Sequence, residues 1–489
     1  MVNIIKKGIN TFLLLSVCFY LLCVFYVQSR YISNYMVFAG VAGIGYILFA
    51  FLCSENIKSD KAAVLMLVII NLIGLVVWNQ WVKPVPVSDY RVLVKGANSI
   101  LDGSFYQMAS DKTNYFSFYN FQIPYAFYIS VLIRLLGSVE TVVYAEIAVI
   151  VLINIVLFKT LRLYTDIKPS LFISLLFAFF PFISLGSGIL NNQHECLLFE
   201  ALAVFVFLKC DRMSDKVSPV MCALSAVLLQ IANTFRPTAA IVFIAMTMVM
   251  AVQLLERRNK NALLRIIVFI AAYIVAKECI NYCFIITQIA PYGIKSSNLW
   301  FKLSLGLTGN GITQTSTTDA EHTNLYYDLQ YYGFDYSAYQ NAAYQYIMGL
   351  TKQPVTVLKF VFNKMVIFSG AADNQVYFTN PEFIDSHDNL ISILNLTGVM
   401  FYFLSIAGTL YSSISLFRKR EYAQSDDFFL FSLVFIGYFF AYCLLETQTR
   451  YRYEQYYFLF LMGIPLVYNA LSKAYGNIIR QLKVKHSLQ

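Results

Sequence analysis

The feature that most constrains the fold is a series of about twelve apolar stretches, most of them long enough to cross a lipid bilayer. A helix needs about 20 residues to span a hydrocarbon core roughly 30 Å thick. Unpaired backbone polar groups are costly in lipid, so such stretches fold as helices. The stretches lie at 10–28, 36–53, 62–82, 140–158, 170–189, 196–209, 217–235, 238–255, 264–286, 389–415, 428–446 and 456–470.

Composition leads to the same class. The chain of 489 residues is 58% hydrophobic and only 13% charged, a balance typical of a polytopic membrane protein. Its net charge of +9 does not indicate a nucleic-acid partner, because basic residues in such proteins mainly set topology. The nine cysteines lack the paired spacing of a disulfide framework. We expect an all-α, polytopic transmembrane helical bundle in contact with the lipid bilayer.

The positions of lysine and arginine predict the topology. These residues cluster in alternate gaps between the apolar stretches, and the positive-inside rule places those gaps in the cytoplasm. Both termini are then cytoplasmic, with about twelve crossings, and Asp89 faces outward. Residues 121–137 contain Arg134 and are short for a span, so we expect an interfacial or re-entrant helix on the outer face.

The predicted organisation has four parts. Residues 1–60 form two N-terminal accessory helices, and residues 61–286 form a transmembrane module whose first outer loop is 83–138. Residues 287–388 form a large extracytoplasmic cap rich in Tyr, Asn, Gln, Thr and Gly, whose aromatic and amide side chains suit carbohydrate contact. A solvated linker is the alternative for that segment. Residues 389–489 form the C-terminal helices and a basic cytoplasmic tail.

Asp89 is the acidic residue best positioned for chemistry. It follows the apolar span at 61–81 by a few residues and opens an amphipathic segment. A carboxylate at the membrane surface can accept the proton of an acceptor hydroxyl when a sugar leaves a polyprenyl phosphate. The sequence therefore predicts Asp89 as the general base. The alternative is that Asp89 only caps the helix that follows.

Such a reaction also needs cations, because negative charge grows on the departing phosphate. The candidates to bind the donor phosphate are Arg236, Arg450, Arg452 and Lys364. His194 and Glu195 are candidates to bind the acceptor or a divalent cation, Mg²⁺ or Mn²⁺. Structural alternatives are an arginine that snorkels to the interface at 236, an aromatic belt around 450–452 and a hydrated helix end at 194–195.

Several stretches together resemble one group of membrane enzymes. They lie at 88–103, 119–137, 181–195, 235–238, 305–311 and 450–453. The chain resembles the GT-C glycosyltransferases, a group that includes protein O-mannosyltransferases, aminoarabinose transferases and oligosaccharyltransferases. More narrowly, it is similar to the sugar transferases of Gram-positive bacteria that decorate cell-wall polymers or glycolipids.

The resemblance implies a GT-C-like fold and a polyprenyl-phosphate-linked sugar donor. The acceptor would be a carbohydrate, a glycolipid or a protein. The base on the first outer loop of the family corresponds to Asp89, and a second acidic position corresponds to 191–195. Two departures are visible. Here the acidic loop follows the third span instead of the first, and the second loop has Gln193-His194-Glu195 instead of an Asp-x-Asp or Tyr-x-Asp form.

Two other functions remain open. A polysaccharide polymerase or ligase would share the lipid-linked substrate and the large outer loop. A secondary transporter or flippase of lipid-linked sugars would show internal repeats and charged residues near the bilayer midplane. No repeat is evident, and intramembrane charge is confined mainly to Lys277 and Glu278. We therefore expect a glycosyltransferase of the cell membrane with an extracytoplasmic active site.

Overall fold

The computed structural model describes residues 2–31, 35–111, 113–210, 218–257, 260–294, 299–307, 333, 335–419 and 426–487. Within these ranges the chain forms helices and no β-strand, which confirms the predicted all-α class for the described part. Residues 308–332 of the predicted cap lie outside the described residues.

The first half of the chain contains both long apolar helices and short helices between them. They are α1 (Val2–Gln28), α2 (Tyr35–Asn56), α3 (Asp60–Val82), α4 (Asp89–Leu101), α5 (Phe105–Ser110), α6 (Tyr115–Phe118), α7 (Ile123–Leu136), α8 (Val139–Leu161), α9 (Ile167–Ala178), α10 (Pro181–Ser184) and α11 (Gln193–Cys210).

The second half has the same character. Its helices are α12 (Ser218–Phe235), α13 (Ala240–Arg257), α14 (Lys260–Ile286), α15 (Leu299–Leu307), α16 (Tyr336–Leu350), α17 (Pro354–Gly370), α18 (Pro381–Ser386), α19 (Asp388–Lys419), α20 (Asp426–Leu444) and α21 (Tyr453–Ser487). A 3-10 turn, Thr449–Arg452, directly precedes α21.

Nine helical segments of the described chain are long and apolar enough to cross a membrane, as expected for a polytopic bundle. They are Val2–Gln28, Tyr35–Asn56, Asp60–Val82, Val139–Leu161, Ser218–Phe235, Pro237–Glu256, Asp388–Arg418, Asp426–Leu444 and Thr449–Asn477. The other stretches predicted as crossings also form helices. These helices are α9 with α10, then α11, which contains Glu195, Glu200 and Lys209, and finally α14.

The long helices pack around one continuous apolar core. Small residues bring two C-terminal helices together, because a Cβ added at Gly408 would stand 2.2 Å from the backbone oxygen of Gly463. Close approach through small residues is a common way for helices to associate in membranes. It brings α19 against α21, the helix that begins where the candidate site ends.

The segment predicted as an interfacial helix is α7, a helix of 14 residues, which is shorter than a membrane span. Its packing partner α4 is amphipathic and buries Tyr90, Leu93, Gly96 and Ala97 along one face. This spacing leaves Asp89 on the exposed side of the first turn. The α4–α7 pair thus forms a platform that carries Asp89.

Candidate functional site

Asp89 is held at a strained start of α4. The preceding residue, Ser88, has a φ of 51° and makes no side-chain capping hydrogen bond. A residue other than glycine in this region of φ costs on the order of 1–3 kcal/mol, and such residues cluster at functional sites. Asp89 itself is the first helical residue and not the N-cap. The alternative in which Asp89 serves only as a cap therefore receives no support from the geometry.

The segment between α20 and α21, residues 445–452, supplies the other side of the site. Gln193 Nε2 donates to the backbone oxygen of Arg450 at 3.0 Å, and the Tyr442 hydroxyl donates to the backbone oxygen of Tyr451 at 2.9 Å. Lys302 Nζ pairs with Glu446 Oε2 at 2.6 Å. Contacts from three different helices therefore fix this segment in place, and we call it the anchored loop.

Four charged side chains near the start of α4 and the anchored loop interact electrostatically. We call them the outer cluster: Asp89, Lys302, Glu446 and Arg450. Arg450 Nη1 donates to the Tyr90 hydroxyl at 2.7 Å, and its guanidinium lies 4.1 Å from the centre of the Phe378 ring. Tyr119 also borders the cluster, with Lys302 Nζ at 6.0 Å from its ring centre. The cluster thus combines two carboxylates, two cations and aromatic walls.

The electrostatics of the cluster suit a base. Although Asp89 is exposed, the surrounding protein removes enough water to raise its pKa, and Arg450 and Lys302 partly offset that rise. Burial would also raise the pKa of Glu446, but its ion pair with Lys302 holds that pKa below the ordinary value. The pKa values of the two carboxyl groups are therefore shifted in opposite directions, upward for Asp89 and downward for Glu446.

Arg450 and Arg452 have different environments although they are two residues apart. Arg452 is fully buried and donates to three backbone oxygens, from Nε to Thr449, from Nη1 to Ser369 and from Nη2 to Ala371. Arg450 Nε has no hydrogen-bond partner in the described part of the chain. Arg450 therefore keeps unused donor capacity beside Asp89, whereas the donors of Arg452 hold the backbone together.

Lys364 has a structural role as well. Its ammonium is buried and donates to the backbone oxygens of Gly306, Cys443 and Leu445 at 2.7, 3.0 and 3.0 Å. These carbonyls lie at the C-terminal ends of α15 and α20, where the helix dipole favours a positive charge. Burial lowers the pKa of Lys364 to about 8, so it remains charged at neutral pH. Lys364 joins two helix ends and does not reach the outer cluster.

Arg236 interacts with the anchored loop and with α21. Its guanidinium lies 4.8 Å from the centre of the Tyr451 ring, and its Nε is 3.5 Å from Glu454 Oε1. The arginine is partly buried and already has a counter-ion. Among the predicted phosphate ligands, the structure thus brings only Arg450 next to Asp89.

His194 and Glu195 are buried at the start of α11, with 0% and 2% of their surfaces exposed. His194 Nδ1 is 2.8 Å from Glu146 Oε2, whose other oxygen accepts from the Tyr125 hydroxyl at 2.9 Å. Their contacts within the described chain do not involve Asp89. The expected role of His194 and Glu195 at the surface is therefore not supported by their position.

Sequence reasoning missed two sets of residues. It did not select Lys302 and Glu446, which are 144 positions apart and meet only in the folded chain. It also took Lys277 and Glu278 as the main intramembrane charges, but both are exposed in the protein. The buried acids of the bundle include Glu146 and Glu200. These two stood inside predicted apolar stretches, so a search for carboxylates in those stretches would have found them.

The described residues contain no group of three or more His, Cys, Asp or Glu side chains arranged to hold a metal ion. Comparison with known proteins adds no further assignment. No protein-family model matches this chain, and no curated protein matches it.

Proposed function

We propose that this protein is a membrane glycosyltransferase that moves a sugar from a polyprenyl phosphate to an extracytoplasmic hydroxyl acceptor. The observation that carries the proposal is the electrostatic interaction of Asp89, an exposed carboxylate that directly follows the strained residue Ser88, with Arg450 and Lys302. These residues come from distant parts of the chain, and all lie beside the ends of apolar helices. A lipid-borne substrate presents its reactive head at that level.

The proposed reaction assigns a role to each group. Asp89 takes the proton of the acceptor hydroxyl as its oxygen attacks the anomeric carbon. The bond between that carbon and the phosphate oxygen breaks, and the phosphate keeps the electron pair. Arg450 and Lys302 then offset the growing negative charge. The guanidinium fork of Arg450 suits a phosphate group because it can contact two oxygens at once.

The surroundings offer room for an apolar part of the donor. A cavity of about 250 Å³ lies beside Tyr90 and Phe378, two of the residues that contact Arg450. Its other lining residues are mainly apolar, including Pro84, Val85 and Ile189. In the proposed arrangement, twelve helices cross the membrane, both termini are cytoplasmic, and this cavity opens at the extracytoplasmic face of the cell membrane.

A transport function for lipid-linked sugars is the second candidate. One observation favours it, namely the buried acids Glu146, Glu200 and Glu454 inside the helical bundle. Ionisable residues within membrane helices often mark ion or substrate pathways. Such a transporter would not require a base at Asp89.

The test is Asp89→Asn in purified protein reconstituted in lipid, assayed with radiolabelled polyprenyl phosphates of several hexoses. We expect transfer to fall by at least ~100-fold, the range of a lost general base, while donor binding persists. Asp385→Asn is the matched control, because Asp385 is an exposed aspartate on the short helix α18. Transfer that survives Asp89→Asn would refute the transferase, and vesicle flux that is insensitive to Asp89 but lost in Glu200→Gln would favour transport.

A further inference from the structure

A second group of titratable residues lies beneath the outer cluster. It contains Glu146, Glu195, Glu200 and Glu454, which expose 0, 2, 0 and 0% of their surfaces to solvent. In the described chain, the only basic groups that act on them are Arg236, next to Glu454, and His194, next to Glu146. A cluster this deeply buried does not retain several unpaired negative charges, because charge burial without a partner is costly. Protons must therefore be bound within it.

We propose that Glu146 and Glu195 form a buried proton-binding site in which the two carboxyl groups share a single proton, with His194 neutral beside them. The carboxyl groups of the two residues contact each other. They come from different helices, α8 and α11. The inference concerns the helical bundle itself, and it holds whether or not the protein is a transferase.

Hydrogen bonding indicates which carboxyl group carries the proton. Glu146 accepts from the Tyr125 hydroxyl at 2.9 Å, and its other carboxyl oxygen lies 2.8 Å from His194 Nδ1, so both oxygens have partners that can donate to an ionised carboxylate. Neither oxygen of Glu195 receives a hydrogen bond from a donor in the described residues. The Tyr128 hydroxyl lies beside Glu195, but an ionised carboxylate in that position would have fewer compensating donors than Glu146 has. A neutral Glu195 can instead donate its own proton to Glu146.

The groups that face the pair are compatible with this assignment. Helix α7 contributes Tyr125 and Tyr128, both of which lie beside the carboxyl groups. Helix α21 contributes Tyr453, whose ring centre is 5.3 Å from that of His194, and Glu454, which acts on His194 electrostatically. None of these groups is a cation. A second negative charge in the pair would therefore meet only neutral or acidic neighbours.

The proton site is coupled to the outer cluster through one residue. Gln193 directly precedes His194 and Glu195 on α11, and it donates to the backbone oxygen of Arg450. Loss of the shared proton would place two like charges in contact at the start of α11. The resulting repulsion would act on the helix end that holds the anchored loop.

Infrared spectroscopy of the reconstituted protein tests the proposal, since protonated and ionised carboxyl groups absorb in separate bands. The difference between wild type and Glu195→Gln at neutral pH should be the loss of a protonated carboxyl band. The amide of glutamine can still donate to Glu146, so the variant should fold. Glu382→Gln is the matched control, because Glu382 is exposed and should lose an ionised carboxylate band.

Tyr128→Phe provides a second variant in case Glu195→Gln does not fold. It should shift the protonated band by removing a hydroxyl beside Glu195, and it should leave the band present. The proposal is overturned if Glu195→Gln loses an ionised carboxylate band and keeps all protonated bands. It is equally overturned if neither Glu195→Gln nor Tyr128→Phe changes the protonated carboxyl region.

Discussion

Arg450 donates a hydrogen bond to the Tyr90 hydroxyl at 2.7 Å, although 360 positions separate the two residues in the chain. Tyr90 lies on the buried face of α4, one residue after Asp89. This contact therefore sets the position of the proposed phosphate ligand relative to the proposed base. It joins the segment that follows α3 to the segment between α20 and α21.

Tyr90→Phe removes this hydrogen bond and keeps the ring. A hydrogen bond to a charged group contributes about 1.5–3 kcal/mol, so we expect the KM for the lipid donor to rise about tenfold or more while kcat changes less. Steady-state kinetics with a labelled polyprenyl phosphate sugar measure both. Tyr106→Phe, at an exposed tyrosine on α5, is the control. Unchanged kinetics in Tyr90→Phe would show that Arg450 does not depend on this contact.

The pH dependence of sugar transfer should follow the ionisation of Asp89. A base works in its ionised form, so activity should appear as pH rises through the pKa of Asp89, which burial raises above the ordinary value. Arg450 lowers that pKa, so Arg450→Gln should move the acidic limb of the profile to higher pH. Arg134→Gln, at an exposed arginine of α7, should leave the limb in place. A limb that moves to lower pH in Arg450→Gln would contradict the assignment.

The Lys302–Glu446 ion pair should stabilise the anchored loop. Its 2.6 Å contact is partly shielded from solvent, with 32% and 8% of the two side chains exposed. We expect a coupling free energy of about 1 kcal/mol between Lys302→Met and Glu446→Gln in a double-mutant cycle. Thermal unfolding in detergent measures it. Additive effects of the two substitutions would argue against the pair.

The same pair has a predictable pH dependence. The pKa of Glu446 is lowered in the folded protein, because the pair with Lys302 outweighs the effect of burial. Its contribution is therefore complete above the ordinary pKa of glutamate and is lost as pH falls through the lowered value. Glu446→Gln should remove this part of the acid sensitivity of unfolding. An unchanged pH dependence in the variant would contradict the assignment.

Lys364→Met should destabilise the protein strongly. The substitution removes the donor to one buried and two partly buried hydrogen bonds with backbone carbonyls, and a buried group left unsatisfied costs on the order of 1–3 kcal/mol. Lys359→Met, on the exposed side of the same helix α17, is the control and should unfold near the wild-type temperature. If the Lys364 variant were as stable as the control but lost donor binding, Lys364 would be a ligand and not a structural residue.

Much of the architecture was predictable because hydrophobicity is a local property of the chain. Apolar length placed helices at α1, α2, α3 and α8, and the short segment with Arg134 forms the short helix α7. The position of Asp89 next to a helix end was also predictable, because it depends only on neighbouring residues. Partners were not predictable, since Lys302 and Glu446 are far apart in sequence and meet only through folding.

The sequence by itself determined where apolar helices form and that acids and cations flank their ends, because these properties depend on neighbouring residues alone. Only the tertiary structure decided which cations keep unused donors. Arg450 and Arg452 occupy one 3-10 turn, and nothing in their local sequence separates them. The fold directs Arg450 toward Tyr90 and Arg452 toward buried carbonyls, because a buried donor takes the partners that packing brings within reach.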